Sequence, residues 1–230
     1  MNKRPILALA AAMIVGGLGT VQNAAAQYPQ QPVKIVVGYA AGGTTDILAR
    51  ALAEQLAAEL KQSVIIENRP GAAGNAAAAY VQQSAPDGYT LFMATVSSHG
   101  INPALYKKSL GYDPVNGFAP ISMVASIPLV LITTPNLPVK SVPDLVALAR
   151  KKPGELNYAS SGNGSPVHLA GAMFAQGAGA KLVHVPYRGA GPALVDMLGG
   201  QVQVMFDNLP SSIGYIKAGK LRALGVTTAE

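Results

Sequence analysis

The sequence predicts an α/β fold: short strands alternating with helices, in a mostly parallel sheet carrying helices on both faces. Three observations support this. An apolar run, Val33–Val37, meets a glycine loop at Gly38–Gly43 and passes straight into a helical pattern, the opening half of a βαβ unit. The same succession of strand, small polar loop and helix recurs over Leu156–Gln176. Half of the 230 residues are apolar, enough to bury a substantial core.

The chain begins with Lys3-Arg4, an uncharged and mostly apolar run Ile6–Leu18, and Ala24-Ala25-Ala26 before Gln27. This is the layout of a secretory signal peptide over residues 1–26. Its apolar core is short against the ~20 residues of a membrane-spanning helix. Removing it leaves 204 residues, with 15 basic and 11 acidic side chains and a formal charge of +4. No cysteine is present, which excludes disulfides and a lipid-bearing N-terminal Cys. The mature chain is expected in the periplasm or outside the cell. Its basic residues are scattered, with only Lys107-Lys108 and Arg150-Lys151-Lys152 adjacent and no aromatics among them. That argues against nucleic acid, while a mild positive balance suits anionic solutes.

In the first helix Ile47, Leu48, Ala51, Leu52 and Leu56 make an apolar stripe. Thr44 and Thr45 are N-cap candidates, and Asp46 sits in the first turn, four residues before Arg50. A second strand covers Ser63–Glu67, a turn-rich loop Glu67–Gly74 and an alanine-rich helix Asn75–Gln83. After the turn Pro86-Asp87-Gly88 comes a strand, Tyr89–Thr95, and a small polar loop, Ser97-Ser98-His99. Ile127–Thr133 reads as an extended strand. Three prolines over Thr134–Pro143 exclude a helix there, and a domain crossover is placed in this region. Ser141 caps a helix with Pro143 in its first turn, which ends at Lys151-Lys152-Pro153-Gly154. Strand Leu156–Ser160 leads to Ser161–Gly164, with Ser165 as N-cap and Pro166 as first helical residue. Strand Leu182–Val185, turn Pro186–Gly191 and helix Pro192–Leu198 follow. Strand Gln201–Phe206 alternates polar and apolar residues up to Asp207-Asn208, and helix Ile213–Lys217 and strand Leu221–Val226 come last.

The two strand-to-helix junctions are candidate anion sites, because the first amides of a helix lack partners and the dipole adds to their pull. Gly42-Gly43 is not followed by Lys-Ser/Thr, and no G-x-G-x-x-G occurs, so a carboxylate fits better than a phosphate. The alternative is that Thr44, Thr45 and Asp46 only cap the helix. The loops offer backbone N–H groups of Gly43, Gly162 and Gly164, the hydroxyls of Thr44, Thr45, Ser161 and Ser165, and the Asn163 amide. Burying a carboxylate costs several kcal/mol, and each hydrogen bond to it returns roughly 1.5–3 kcal/mol, so three or four donors suffice. Asp46 competes for the helix terminus unless it turns toward Arg50 or meets an ammonium group. Tyr39, Ser97-Ser98-His99 and Asp207 would read the far side of the ligand, and His168 is a further candidate ligand contact that otherwise packs or hydrogen-bonds locally. Arg188 either pairs with a ligand carboxylate or sits on a surface turn. His99, His168 and His184 lack metal-ligand spacing. Ser165, His168 and Asp207 could be imagined as a hydrolase triad, but i, i+3 on one helix is a poor nucleophile–base geometry and G-x-S-x-G is absent.

Read together and in order, GYAAGGTTDILAR (Gly38–Arg50), ENRPGAAG (Glu67–Gly74), PDGYTL (Pro86–Leu91), INPALY (Ile101–Tyr106), YASSGNGSPVHLAG (Tyr158–Gly171), VPYRGAGPAL (Val185–Leu194) and FDN (Phe206–Asn208) resemble the extracytoplasmic solute receptors of the tripartite tricarboxylate transporter family, the Bug receptors. The resemblance spans essentially the whole mature chain. It implies a type II periplasmic-binding fold: two α/β domains, 27–124 and 125–221, with a ligand cleft between them and 222–230 starting a return to the first. It implies that members continue beyond Glu230, leaving the first domain incomplete here. It further implies a monomeric, non-enzymatic receptor without cofactor or metal that closes on a small organic acid. The Gly42–Asp46 and Ser161–Ser165 loops would hold its carboxylate. The partners implied are an integral membrane permease with one large and one small subunit. A hydrolase using Ser165 and His168, or a carboxylate sensor, are the alternatives.

Overall fold

The computed structural model of the chain describes residues 28–228. Contacts divide the chain into residues 1–30 and residues 31–230, and the elements below all belong to the second unit. The leader expected at 1–26 lies outside the described residues.

Two sheets form. The small one has the order β2-β1-β3, from β1 (Val33–Val37), β2 (Val64–Asn68) and β3 (Thr90–Phe92), all parallel. Helix α1 (Thr44–Leu60) lays Ala49 and Ala53 on Ile35 and Val37 of β1, with Met93 beside them. Helix α2 (Asn75–Gln82) follows β2, as the alanine run predicts. Ser97-Ser98-His99 is not an open loop. It forms a wide helical turn, Ser97–Ile101, that runs into α3 (Asn102–Tyr106) and buries both serines completely. Ser98 Oγ accepts from Thr95 N at 3.1 Å, so local hydroxyl–backbone bonding favours the turn.

The large sheet has the order β6-β5-β7-β4-β8, from β4 (Leu129–Thr133), β5 (Asn157–Ser160), β6 (Val183–Pro186), β7 (Val204–Asn208) and β8 (Arg222–Val226). Strand β5 runs parallel to β6 and β7, while β4 is antiparallel to both β7 and β8. Residues 222–226, read from the sequence as the start of a return crossing, thus lie beside β4. Helices cover both faces. Val130, Ile132 and Met205 pack with Ala193, Leu194 and Met197 of α6 (Ala190–Leu198). Leu131, Val204 and Phe206 pack with Leu145 and Ala149 of α4 (Val142–Lys151). The alternation expected over Gln201–Phe206 does not survive: β7 is central, and Val204, Met205, Phe206 and Asp207 are all buried. Gln201 and Gln203 precede the strand. Helix α7 (Leu209–Lys217) starts four residues before the expected Ile213, with Pro210 in its first turn.

Ser141 and Ser165 cap α4 and α5 (Pro166–Gly177) as expected, accepting from Asp144 N at 3.2 Å and His168 N at 3.1 Å. Helix α1 differs. Its N-cap is Gly43, with no side-chain cap, so neither Thr44 nor Thr45 serves as one. Among the described residues, no helix is long and apolar enough to cross a membrane.

Helix α5 sits close to β5 because Gly171 has no side chain: a Cβ there would stand 2.4 Å from the Tyr158 ring. Tyr158 stacks on His184, and His184 on His168. Gly171→Ala is expected to lower unfolding free energy by about 1–3 kcal/mol through overpacking, measured by urea titration.

Candidate functional site

Where elements of the two sheets meet, their turns interlock. Ala40 N donates to Arg188 O at 2.9 Å. Gly191 lies so close to the preceding turn that a Cβ would stand 2.2 Å from Ala41 O. Gly43 packs against Ala190 at the start of α6. The Thr44 hydroxyl, freed from capping, lies 2.9 Å from Ser211 Oγ and also accepts from Ser211 N at 3.2 Å. On the other side of the seam Tyr106 Oη donates to Asn163 O at 3.3 Å.

These contacts enclose a cavity of about 220 Å³. On one side it is lined by Gly38, Tyr39, Gly71, Ala72, Ala73 and Tyr106, and on the other by Ser161, Gly162, Asn163, Pro186, Tyr187 and Arg188. Of the site residues expected from sequence, Tyr39, Ser161, Gly162 and Asn163 meet there. Gly43, Thr44, Thr45 and Asp46 do not line it, nor do Ser97, Ser98, Gly164, Ser165, His168 and Asp207.

Several of these are engaged within the fold. The Asp46 carboxylate accepts from Gly42 N at 3.0 Å, Asn68 Nδ2 at 2.9 Å and Arg50 Nε and Nη2 at 2.9 Å each. Burial pushes its pKa up, but these donors outweigh burial and hold it below the usual carboxylate range. Asp46 therefore turns toward Arg50, one of the options left open by the sequence. The Ser165 Oγ is spent on His168 N, and His168 Nδ1 accepts from Gly164 N at 3.3 Å. The Ser165 hydroxyl and the His168 imidazole are not bonded to each other, so they form no nucleophile–base pair. His184 lies against His168 at 4.2 Å between ring centroids, with its Nε2 2.6 Å from Ser160 Oγ. Burial, then its neighbour His168, brings His184 down to about 4.

The turn Gly71–Gly74 carries the feature that sequence reasoning missed. Ala72 and Ala73 adopt φ of 45° and 51°, a left-handed conformation costing an alanine on the order of 1–2 kcal/mol. The Ala73 carbonyl is held from behind: it accepts from Tyr39 Oη at 3.2 Å and Asn102 Nδ2 at 3.2 Å. The N–H groups of Ala72 and Ala73 have no partner among the described residues. Ala73 lies close to Gly162 of the other side: a Cβ on Gly162 would stand 3.8 Å from both Ala73 N and Ala73 Cβ. Successive unpaired N–H groups in such a turn form a concave anion site. The only sequence signal was the paired alanines between two glycines, which composition alone would assign to a loop.

Asp207 closes the C-terminal end of β7, fully buried. Its Oδ2 accepts from Ser211 Oγ at 2.6 Å, and its Oδ1 has no partner among the described residues. Burial raises it to about 6, with Ser211 pulling the other way. Through Ser211 it supports Thr44 at the seam rather than facing the cavity.

A model of the tripartite tricarboxylate transporter family receptor matches residues 48–230. Protein BugT of Bordetella pertussis is 36% identical over the whole chain, which covers 71% of that protein. The structure of Rhodopseudomonas palustris Rpa4515 with adipate superposes with a TM-score of 0.85 at 42% identity, covering 88% of this chain and 68% of that one. MatC from Rhodopseudomonas palustris with bound malate gives 0.82 at 32% identity, covering 88% and 69%. This chain spans 68–71% of the length of these three relatives.

Between pH 4 and 6 the folded protein keeps the Asp207 proton that the unfolded chain releases, so this group's contribution falls as pH rises through that window. Asp207→Asn has no such proton. Its unfolding free energy relative to the parent is expected to rise by up to about 3 kcal/mol from pH 4 to pH 7, read by urea unfolding at each pH. The lowered histidines act in the opposite direction in both proteins and cancel in the difference.

Proposed function

We propose that this chain, which belongs to the tripartite tricarboxylate transporter receptor family, captures a small organic carboxylate in the cavity at its seam and delivers it to an integral membrane permease of one large and one small subunit. The family consists of periplasmic solute-binding receptors rather than enzymes. The observation that carries the reading is the cavity's chemistry: unpaired N–H groups at Ala72 and Ala73, polar residues Ser161 and Asn163, one arginine, and no acidic side chain in its lining. Two of the related structures hold adipate and malate, which supports a carboxylate here. The leader read at 1–26 supports a periplasmic site of action.

The mechanism is closure about a hinge between the units read as 27–124 and 125–221. A carboxylate bridging the Gly71–Gly74 turn and the Ser161–Asn163 loop touches both sides of the seam. It therefore stabilises the closed arrangement by the difference between its affinities for the closed and open forms. The left-handed turn is fixed before the ligand arrives, which lowers the ordering cost of binding on that side.

The cavity volume sits below the roughly 300–1,000 Å³ of drug-sized ligand sites, which favours a small acid. Ala72 is exposed, and Asp or Asn tolerates its left-handed backbone better than Ala does. Ala72→Asp should abolish carboxylate-induced thermal shifts, since a like charge beside the site costs several kcal/mol. Ala72→Asn should keep them. Equal shifts in both variants across a carboxylate panel would place the anion elsewhere.

A further inference from the structure

Next to the Ser161–Asn163 side of the cavity two half-buried imidazoles lie face to face. His168 of α5 and His184 of β6 stack with ring centroids 4.2 Å apart, and Tyr158 of β5 continues the stack at 4.8 Å from His184. Each ring serves one amide of the loop. Gly164 N donates to His168 Nδ1 at 3.3 Å, so Nδ1 carries a lone pair and the ring proton sits on Nε2. Gly162 N donates to Ser160 Oγ at 3.1 Å, and that buried hydroxyl lies 2.6 Å from His184 Nε2. With Oγ accepting from Gly162, the Ser160 proton is free to go to His184. Both bonds call for neutral imidazole. Gly162 and Gly164 stand at φ of 117° and 85°. Glycine visits either half of the map with similar ease, so bonding partners and not local sterics hold this shape. Among the described residues the elements packed round the pair bring no counter-charge. Tyr158 is held neutral by burial, Tyr106 of α3 donates to Asn163 O, Asp196 of α6 is bonded to Tyr187, and Asp207 of β7 to Ser211.

We propose that the His168–His184 stack is the positioning element of the Ser161–Asn163 side of the cavity, and that it holds the loop only while both rings are neutral, so that acidification loosens the loop and releases the bound anion. The release of an anion rests on the carboxylate reading above. Neither ring lines the cavity, so both act through the loop. A proton at His168 Nδ1 turns the acceptor of Gly164 N into a second donor, and the bond is lost. Burial lowers both rings, and His168 lowers its neighbour further, so that His184 takes a proton only at about pH 4. His168 is therefore charged first. The sign follows by linkage. A ligand resting on the ordered loop favours the neutral stack, so affinity is full near pH 7 and falls as pH drops through the His168 pKa. One linked proton gives at most about tenfold per pH unit.

Two measurements on the full chain test this. The first needs no ligand and no variant. In proton–nitrogen NMR spectra from pH 7 to pH 4, the Gly164 amide signal should move with the same midpoint as the His168 ring protons. A Gly164 signal that stays in place, or moves with another midpoint, overturns the proposal. The second is calorimetry with adipate and with malate at pH 7 and pH 5. His168→Asn offers an acceptor near the Nδ1 position that takes no proton, and His168→Phe keeps a ring in the stack without an acceptor. At pH 7 His168→Phe should bind roughly two- to tenfold more weakly than the parent, and His168→Asn should recover most of that loss. From pH 7 to pH 5 the parent should lose affinity relative to His168→Asn. Titration of the acid itself and of Asp207 occurs in both proteins and cancels in that ratio. Equal pH dependence in the two overturns the proposal. So does parent affinity that rises on acidification relative to His168→Asn, since the imidazolium would then attract the anion instead of freeing the loop. No binding of either acid by folded parent protein at pH 7 overturns the carboxylate reading, and the Gly164 signal then decides the histidine stack by itself.

Discussion

Backbone against backbone at the seam is the contact on which the site depends. The Tyr39–Gly43 turn after β1 and the Arg188–Gly191 turn before α6 come within hydrogen-bonding distance at Ala40 N and Arg188 O, with no room for a Cβ at Gly191. That approach places Tyr39 beside Tyr187 and sets the Gly71–Gly74 turn opposite Gly162. The cavity is the space left between them. Side chains reinforce the approach rather than create it, as when Thr44 bonds Ser211 and Ser211 bonds Asp207.

Among the described residues, two of the four non-glycine residues at positive φ, Ala72 and Ala73, sit in the turn that lines the cavity. Two consecutive alanines in the left-handed region are unfavourable in any ordinary loop. Here Tyr39 and Asn102 hold the Ala73 carbonyl, and the turn they hold lines the cavity. The loop Gly42–Asp46 has the glycines and the helix start that suggest an anion site, and several of its groups also serve the fold. Gly42 N bonds Asp46, Gly43 packs on Ala190 and Thr44 bonds Ser211.

Much of the fold is legible in the amino-acid sequence. The two apolar strands leading to small polar loops, the Ser141 and Ser165 caps with their following prolines, and the alanine-rich α2 all appear as read. Those signals are local: a cap bonds an amide two or three residues away, and a periodic stripe needs only one buried side. The failures were non-local. The β7 strand lost its expected alternation because β4 and β5 flank it and helices cover both faces. Thr44 gave up capping for a partner 167 residues away.

By itself the sequence determined the alternating α/β class and the family, and it named four of the residues that line the cavity: Tyr39, Ser161, Gly162 and Asn163. These follow from spacing, caps and motif order, which are properties of contiguous residues. Only the tertiary structure decided that Ala72, Ala73 and Arg188 line that same space and that Asp46 and Asp207 do not. The reason is physical: which amide stays unpaired and which charge stays uncompensated depends on what the rest of the chain brings against it, and those partners lie on other elements, far away in sequence.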